Sequence, residues 1–255
     1  MFKLIKYELQ GRSKYYIAAL IGMFFMFFYI NMRLTSKDFT VSLAFSFLAI
    51  YLVYIVLVIS GIILYAKDVF GNSGYLIFTI PKRGETILGA KLIVAIAEFL
   101  IFMFTVVLLS YLNLSINYPV EIVNNFILEY KNTLIPASTL ITLFFIFLIL
   151  LSYFSITLTK TIFYSNKYAI WISLMLMWLI YFIINKLITL ISKLFPYSIH
   201  IGTGSIIAKA VNTNSNITMY LTPLDLNIAA LTFETFTLFI LFIATSYLID
   251  SKMNL

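Results

Sequence analysis

The chain alternates long apolar stretches with short segments that hold most of its charged residues. An α-helix needs about 20 predominantly apolar residues to cross a hydrocarbon layer of about 30 Å, and each stretch is near or above that length. We therefore predict an all-α integral membrane protein, in which six transmembrane helices form a single domain over residues 1–255. The predicted spans are residues 15–32, 41–66, 86–114, 136–159, 168–190 and 226–249.

The composition supports a chain that lies almost entirely within a membrane. Hydrophobic residues make up 62% of the 255 residues and charged residues only 11%, whereas a soluble domain carries about 25% charge. The residues outside six spans suffice only for loops and short tails, so we expect no separate globular domain. The net charge of +7 then has no broad surface on which nucleic acid could bind.

The distribution of basic residues predicts the orientation. With the N-terminus in the cytoplasm, eleven Lys and Arg residues fall on the inner side and six on the outer side, where the loops are longer. Cytoplasmic loops carry an excess of Lys and Arg, so we expect both termini to be cytoplasmic. The richness in Ile, Phe, Tyr, Asn and Lys favours an AT-rich bacterial genome, and we expect the protein in the bacterial cytoplasmic membrane.

The N-terminal segment, residues 1–14, has an amphipathic pattern. Phe2 and Ile5 share one helical face, while Lys3 and Lys6 share another. This pattern predicts a helix that lies in the cytoplasmic interface before the first span. The alternative is an ordinary basic flank of that span.

The segment between spans 2 and 3, residues 66–91, combines Gly, Pro and charges of both signs. Gly and Pro mark turns, and the apolar run Tyr75–Ile80 is too short to span a membrane. We expect a short helix or turn across the cytoplasmic membrane face.

Two outer segments also have helical patterns. Apolar residues from Val123 to Leu134 recur at helical spacing, which predicts a surface helix on the outer leaflet. Pro136 then precedes the fourth span. In the last outer segment, 191–225, we expect a short helix near Ser205–Val211.

The sequence contains no convincing catalytic motif. The run from Gly84 to Lys91 approaches the phosphate-binding P-loop pattern, but its Lys is displaced by one residue and no strand precedes it. The chain has no cysteine and one histidine, His200, whereas a zinc site needs three or four protein ligands. We therefore expect no enzymatic activity, no metal and no cofactor in this chain.

Glu98 and Glu234 are the only acids well inside the predicted spans. A charged group in hydrocarbon is costly, so such residues usually face a cavity or a partner. One interpretation is a proton relay or a cation site, and the other is a carboxyl group that holds helices together. Neither acid has a basic residue at the same predicted depth.

Two segments carry a family resemblance. The first, MFKLIKYELQGRSKYY, is similar to a basic amphipathic elbow helix, and the loop after span 2 is similar to the pattern D…GY-L…T-P-x-R…K. With six spans, cytoplasmic ends and a longer outer segment between spans 5 and 6, the chain resembles the permease subunits of type-2 ATP-binding-cassette exporters. The loop pattern is carried by Asp68, Gly74, Tyr75, Leu76, Thr79, Pro81, Arg83 and Lys91.

The resemblance implies a permease that forms a dimer with a second copy or a sibling and docks a separate ATP-binding-cassette ATPase, which would hold ATP and Mg²⁺. It implies a coupling helix within residues 67–84 that sits in a cleft of the ATPase. It also implies export of a hydrophobic or amphipathic substrate, with a peptide toxin or antimicrobial peptide expected. The residues implied in ATPase docking are Asp68, Gly74, Tyr75, Leu76, Phe78, Pro81, Lys82, Arg83 and Glu85.

Two alternative functions remain open from the sequence. A proton-coupled secondary carrier would use Glu98 and Glu234 and would need no ATPase. A non-transporting membrane scaffold or sensor subunit would move no substrate with either energy source.

Overall fold

The described part of the chain is a bundle of six long α-helices with two small antiparallel ladders. A computed structural model describes residues 2–33, 39–71, 83–163, 168–201, 206–207, 220–221 and 224–252. The helices are α1 (Phe2–Arg33), α2 (Phe39–Phe70), α3 (Gly84–Asn117), α4 (Val120–Ile162), α5 (Ala169–Leu194) and α6 (Ile228–Lys252).

Five of these helices are long and apolar enough to cross a membrane. They are the segments Val41–Phe70, Gly84–Asn117, Val120–Ile162, Ala169–Leu194 and Ile228–Ser251. Large apolar side chains such as Trp171, Trp178 and Phe104 point outward from the bundle, as expected where the surroundings are lipid rather than water. These helices coincide with predicted spans 2 to 6, and the prediction of a helical membrane protein is confirmed at this level.

The first helix joins two predicted elements. α1 runs from Phe2 to Arg33 without interruption, so the predicted interfacial segment 1–14 and the predicted span 15–32 are one helix. α1 is not among the five apolar candidate spans found in the described residues. The first span and the position of residues 1–14 at the membrane surface therefore stay predictions.

The fourth helix is longer than the sequence indicates. Its 43 residues include the segment expected on the outer leaflet, the predicted fourth span and Pro136. The expected surface helix and the predicted fourth span are therefore one continuous helix, and the point at which the chain enters the membrane stays a prediction. A proline removes one backbone donor, and membrane helices tolerate this where neighbouring helices, Ser or Thr side chains or local adjustments satisfy the freed backbone groups. At 1.5 Å per residue, α4 extends over roughly 65 Å.

α3 and α4 occupy the middle of the bundle. α3 packs against α1, α2, α4 and α6, while α4 also packs against α2, α5 and α6. Where α2 crosses α4, the rings of Tyr65 and Tyr153 stack at 4.3 Å, and the Tyr153 hydroxyl donates to the Gly61 carbonyl at 3.2 Å. Gly61 leaves room for this approach, because an added Cβ would lie 2.5 Å from the Ile149 Cδ1 atom, which would then have to shift.

The start of α3 and the end of α6 meet at one end of the bundle. The Gly84 backbone N–H, which no intrahelical acceptor can satisfy, donates to the Asp250 carboxylate at 2.5 Å. A Cβ at Gly84 would come within 2.7 Å of the Ser246 carbonyl oxygen, so the small residue permits the contact. A carboxylate also interacts favourably with the positive end of the helix dipole.

The segment between α5 and α6 contains paired strands. β1 (Ser198–Ile201) pairs antiparallel with β4 (Leu224–Asn227), and β2 (Ile206–Ile207) pairs with β3 (Tyr220–Leu221). The helix expected near Ser205–Val211 is therefore wrong at β2, where two β-branched residues favour a strand; its other residues lie outside the described ranges. The fold class is nonetheless dominated by α-helices.

Candidate functional site

A first cluster of buried charges joins α1, α2 and α3. The Lys91 ammonium contacts the Glu8 carboxylate at 2.6 Å and also pairs with Asp68. Only 3% of the Lys91 side chain is exposed. A lysine is almost never fully buried unless it is paired, and here carboxylates from two other helices supply the pairing.

A second cluster lies about two helical turns further along α3. Glu98 pairs with Arg12 of α1 and accepts hydrogen bonds from Tyr16 and from Ser60, the latter at 3.2 Å. Arg12 also donates from its Nη2 atom to the Ser60 Oγ atom at 3.1 Å. The Glu98 carboxylate thus has three donors, which compensates much of the cost of burying its charge.

Helical spacing brings these residues together. Glu8, Arg12 and Tyr16 recur every four residues on one face of α1, while Lys91 and Glu98 are seven apart on α3. Residues four or seven apart share a helix face. α1 and α3 run in the same direction, since Glu8 meets Lys91 and Arg12 meets Glu98, whereas α2 runs in the opposite direction with Asp68 and Ser60 at the two levels.

The pairing of Glu98 corrects one expectation from the sequence. Glu98 was expected to have no basic residue at its depth, but Arg12 provides that partner. Arg12 was missed because the segment 1–14 was interpreted as lying in the membrane interface, away from the spans. The four-residue spacing of Glu8, Arg12 and Tyr16 was the available signal.

Glu234 lies apart from both clusters. It is on α6 and partly buried, and within the described ranges its carboxylate forms no ion pair. The structure therefore does not join Glu98 and Glu234 into one hydrogen-bonded relay. No group of three or more His, Asp or Glu side chains placed to hold a metal is present among the described residues.

The residues implied in ATPase docking fall into three groups. Asp68 is buried in the first charge cluster, which favours a role in fixing the segment over direct contact with a partner. Arg83 and Glu85 are exposed at the start of α3. The remaining members lie outside the described residues, and these are Gly74, Tyr75, Leu76, Phe78, Pro81 and Lys82.

An apolar groove of about 360 Å³ runs between α1 and α2, with Phe102 of α3 at its base. Arg12 and Glu98 lie at one end of the groove, and Met26 and Leu52 lie toward the other. The groove therefore combines a charged end with a long apolar wall, an arrangement suited to an amphipathic molecule.

The helices and the buried charges define the class of protein. No family model, no curated protein and no solved structure matches the chain. By its long apolar helices it is a multi-pass α-helical membrane protein. Its distinguishing feature is a charged site built by three helices at one end of the bundle.

Proposed function

We propose that this chain is the transmembrane subunit of an ATP-driven exporter. It forms the translocation path for a hydrophobic or amphipathic substrate, with a peptide toxin or an antimicrobial peptide as the expected cargo. A separate ATP-binding-cassette ATPase binds ATP and Mg²⁺, and a second permease copy or a sibling completes the path. The complex resides in the bacterial cytoplasmic membrane with both ends of this chain in the cytoplasm.

The observation that carries the proposal is the ion cluster around the segment between α2 and α3. Asp68 precedes that segment and Lys91 follows it, and the two side chains pair with each other and with Glu8 of α1. A displacement imposed on the segment by a docked ATPase would reach three helices at once. This is the mechanical connection that an exporter needs between its ATPase and its membrane helices.

The expected substrate class rests on the composition of the chain. Charged residues make up only 11% of it and aromatic residues 18%, so a path formed by these helices offers few polar groups. Such a path favours hydrophobic or amphipathic molecules over sugars or ions, because polar cargo would lose its hydration without compensation.

The docking surface can be tested through Arg83. We expect the chain alone to hydrolyse no ATP and a co-expressed P-loop ATPase to co-purify with it. Arg83→Glu should weaken this association severalfold, since reversal of an interface charge replaces attraction by repulsion. The matched control is Lys193→Glu, which reverses an exposed charge at the opposite end of the bundle and should leave the association unchanged.

Two results would contradict the proposal. Equal recovery of the ATPase with wild type and Arg83→Glu would remove Arg83 from the docking surface. Substrate flux driven by a pH gradient in vesicles that lack any ATPase would instead favour the secondary carrier. In that case Glu98→Gln and Glu234→Gln become the variants to compare.

A further inference from the structure

The groove between α1 and α2 has the shape of a site for one extended chain. Along α1 it extends from Arg12 to Met26, which corresponds to about 21 Å of helix axis at 1.5 Å per residue. The groove holds about 360 Å³ and is apolar along most of its wall, as an extended acyl chain requires.

The groove opens toward the outside of the bundle. Its rim residues Tyr15, Leu52 and Val56 are exposed, and its wall on α1 includes Gly22, where an added Cβ would meet no atom within 4 Å. For a membrane helix bundle, the outside at this level is the bilayer itself. Lipid acyl chains therefore have direct access to the groove.

The charged end of the groove is suited to a phosphate group. Glu98 is 3% exposed and already has three donors, whereas Arg12 is 21% exposed and is the accessible charge. The described contacts of Arg12 use only its Nη1 and Nη2 atoms, and a guanidinium has five N–H donors that match phosphate oxygens. Tyr15 and Tyr16 line the same end, and tyrosines are enriched at the level of lipid headgroups.

From these features we propose that the groove binds one glycerophospholipid of the surrounding bilayer. One acyl chain lies along Gly22, Met26 and Leu52, and the phosphate contacts the Arg12 guanidinium. The lipid is a resident ligand that fills the space between α1 and α2, and its binding is independent of whether the chain works with an ATPase.

The test uses native mass spectrometry of the full-length protein released from nanodiscs. One set of nanodiscs contains phosphatidylglycerol, and a second set contains diglucosyldiacylglycerol with the same acyl chains and no phosphate. We expect wild type to retain one phosphatidylglycerol and to lose the glycolipid. Gly22→Leu should lose most of the retained phospholipid because its side chain fills the groove, and Arg12→Lys should retain less because it loses the planar donor fork.

Gly11→Leu is the matched control. Gly11 lies on the same helix with open space around its Cα and does not line the groove, so this variant should retain the phospholipid as wild type does. Equal retention by wild type and Gly22→Leu would overturn the site. Equal retention of the glycolipid by wild type would overturn the phosphate contact.

A second measurement needs no variant. A phosphatidylglycerol carrying a photoactivatable diazirine on its acyl chain should label peptides that contain Met23, Met26 or Leu52. Labelling confined to other helices would overturn the proposal. If Gly22→Leu instead converts a dimer into a monomer without changing lipid retention, the groove is a contact between two copies of the chain and the proposal is wrong.

Discussion

The individual charges at the α1–α3 contact depend on one another. Arg12 satisfies Glu98, and Glu98 gives Arg12 a partner in a place where only a fifth of its side chain is exposed. Removing one member of a buried pair leaves an uncompensated charge, which is costlier than removing both. Lys91 depends on its partners in the same way, because it pairs with Glu8 of α1 and Asp68 of α2.

A double-mutant cycle measures this dependence. Arg12→Met should lower the free energy of unfolding by about 3 kcal/mol, because Glu98 is left buried without its cation. The double variant Arg12→Met with Glu98→Met should lose less than the sum of the two single variants. Reversible unfolding in mixed micelles with increasing denaturing detergent provides the measurement.

The control for this cycle is Lys14→Met, which removes an exposed charge from the same helix and should change stability little. Strict additivity of Arg12→Met and Glu98→Met would mean that the two side chains do not interact in the folded protein.

At the residue scale, the sequence could predict the types of residue but not their pairs. The burial cost of Glu98 identified it as a group in need of a partner. That partner, Arg12, is 86 residues away, and hydrophobic periodicity contains no information about which helices pack side by side. Asp68 and Lys91 were singled out by the loop pattern, yet their mutual contact and the role of Glu8 required the three-dimensional structure.

At the scale of elements, close helix crossings depend on small residues. Gly61 allows α2 to approach α4 so that the Tyr153 hydroxyl reaches its backbone carbonyl. In a membrane the gain from such an approach comes mainly from packing and hydrogen bonds, since lipid tails are as apolar as the side chains. The crossing between α2 and α4 should therefore respond sharply to added volume.

Gly61→Ala tests this crossing. The new methyl group would collide with the end of the Ile149 side chain, and overpacking of this kind costs about 1–3 kcal/mol. Ile149→Val removes the colliding Cδ1 atom and should restore part of the loss when combined with Gly61→Ala. The measurement is the midpoint temperature of thermal unfolding in detergent. It is compared for Gly61→Ala, Ile149→Val and the double variant.

The matched control is Gly11→Ala, where the added methyl group meets no atom within 4 Å and the higher helix propensity of alanine raises stability by up to about 1 kcal/mol. A Gly61→Ala variant as stable as wild type would show that Ile149 moves aside without cost.

The sequence predicts the presence of the helices better than it predicts their boundaries. The predicted spans 2 to 6 fall within or close to α2 to α6. A long apolar run that crosses a bilayer forms an α-helix, because a helix satisfies its own backbone hydrogen bonds. The ends are less certain: α4 passes through Pro136, and α1 includes both a polar N-terminal part and the apolar stretch after it. A pattern of polarity separates these parts, whereas the backbone remains one helix.

At the scale of the whole molecule, both ends of the described chain lie at the same end of the bundle. Glu8 near the start contacts Lys91 close after the beginning of α3, and Asp250 near the finish contacts Gly84 at that beginning. This arrangement agrees with the prediction that both chain ends lie on one side of a membrane. The excess of Lys and Arg predicts that this side is the cytoplasm.

Cysteine labelling tests this orientation, and the absence of native cysteine makes each introduced thiol the only one. In intact cells, a membrane-impermeant maleimide should label Asn125→Cys, at the exposed start of α4, and leave Ser13→Cys and Ser251→Cys unlabelled. Permeabilised cells should show labelling of all three variants. Labelling of Ser13→Cys or Ser251→Cys in intact cells would reverse the orientation.

The pairing of Arg12 with Glu98 also has a consequence for biosynthesis. α1, which carries Glu8 and Arg12, leaves the ribosome before α3, and Glu98 is synthesised 86 residues after Arg12. At a synthesis rate of about 5–20 residues per second, Glu98 is added to the chain roughly 4–17 s after Arg12. During that interval a charged side chain is poorly tolerated in hydrocarbon, so we expect the N-terminal turns of α1 to stay at the aqueous boundary. We therefore expect the final position of α1 to be reached only after α3 has been synthesised.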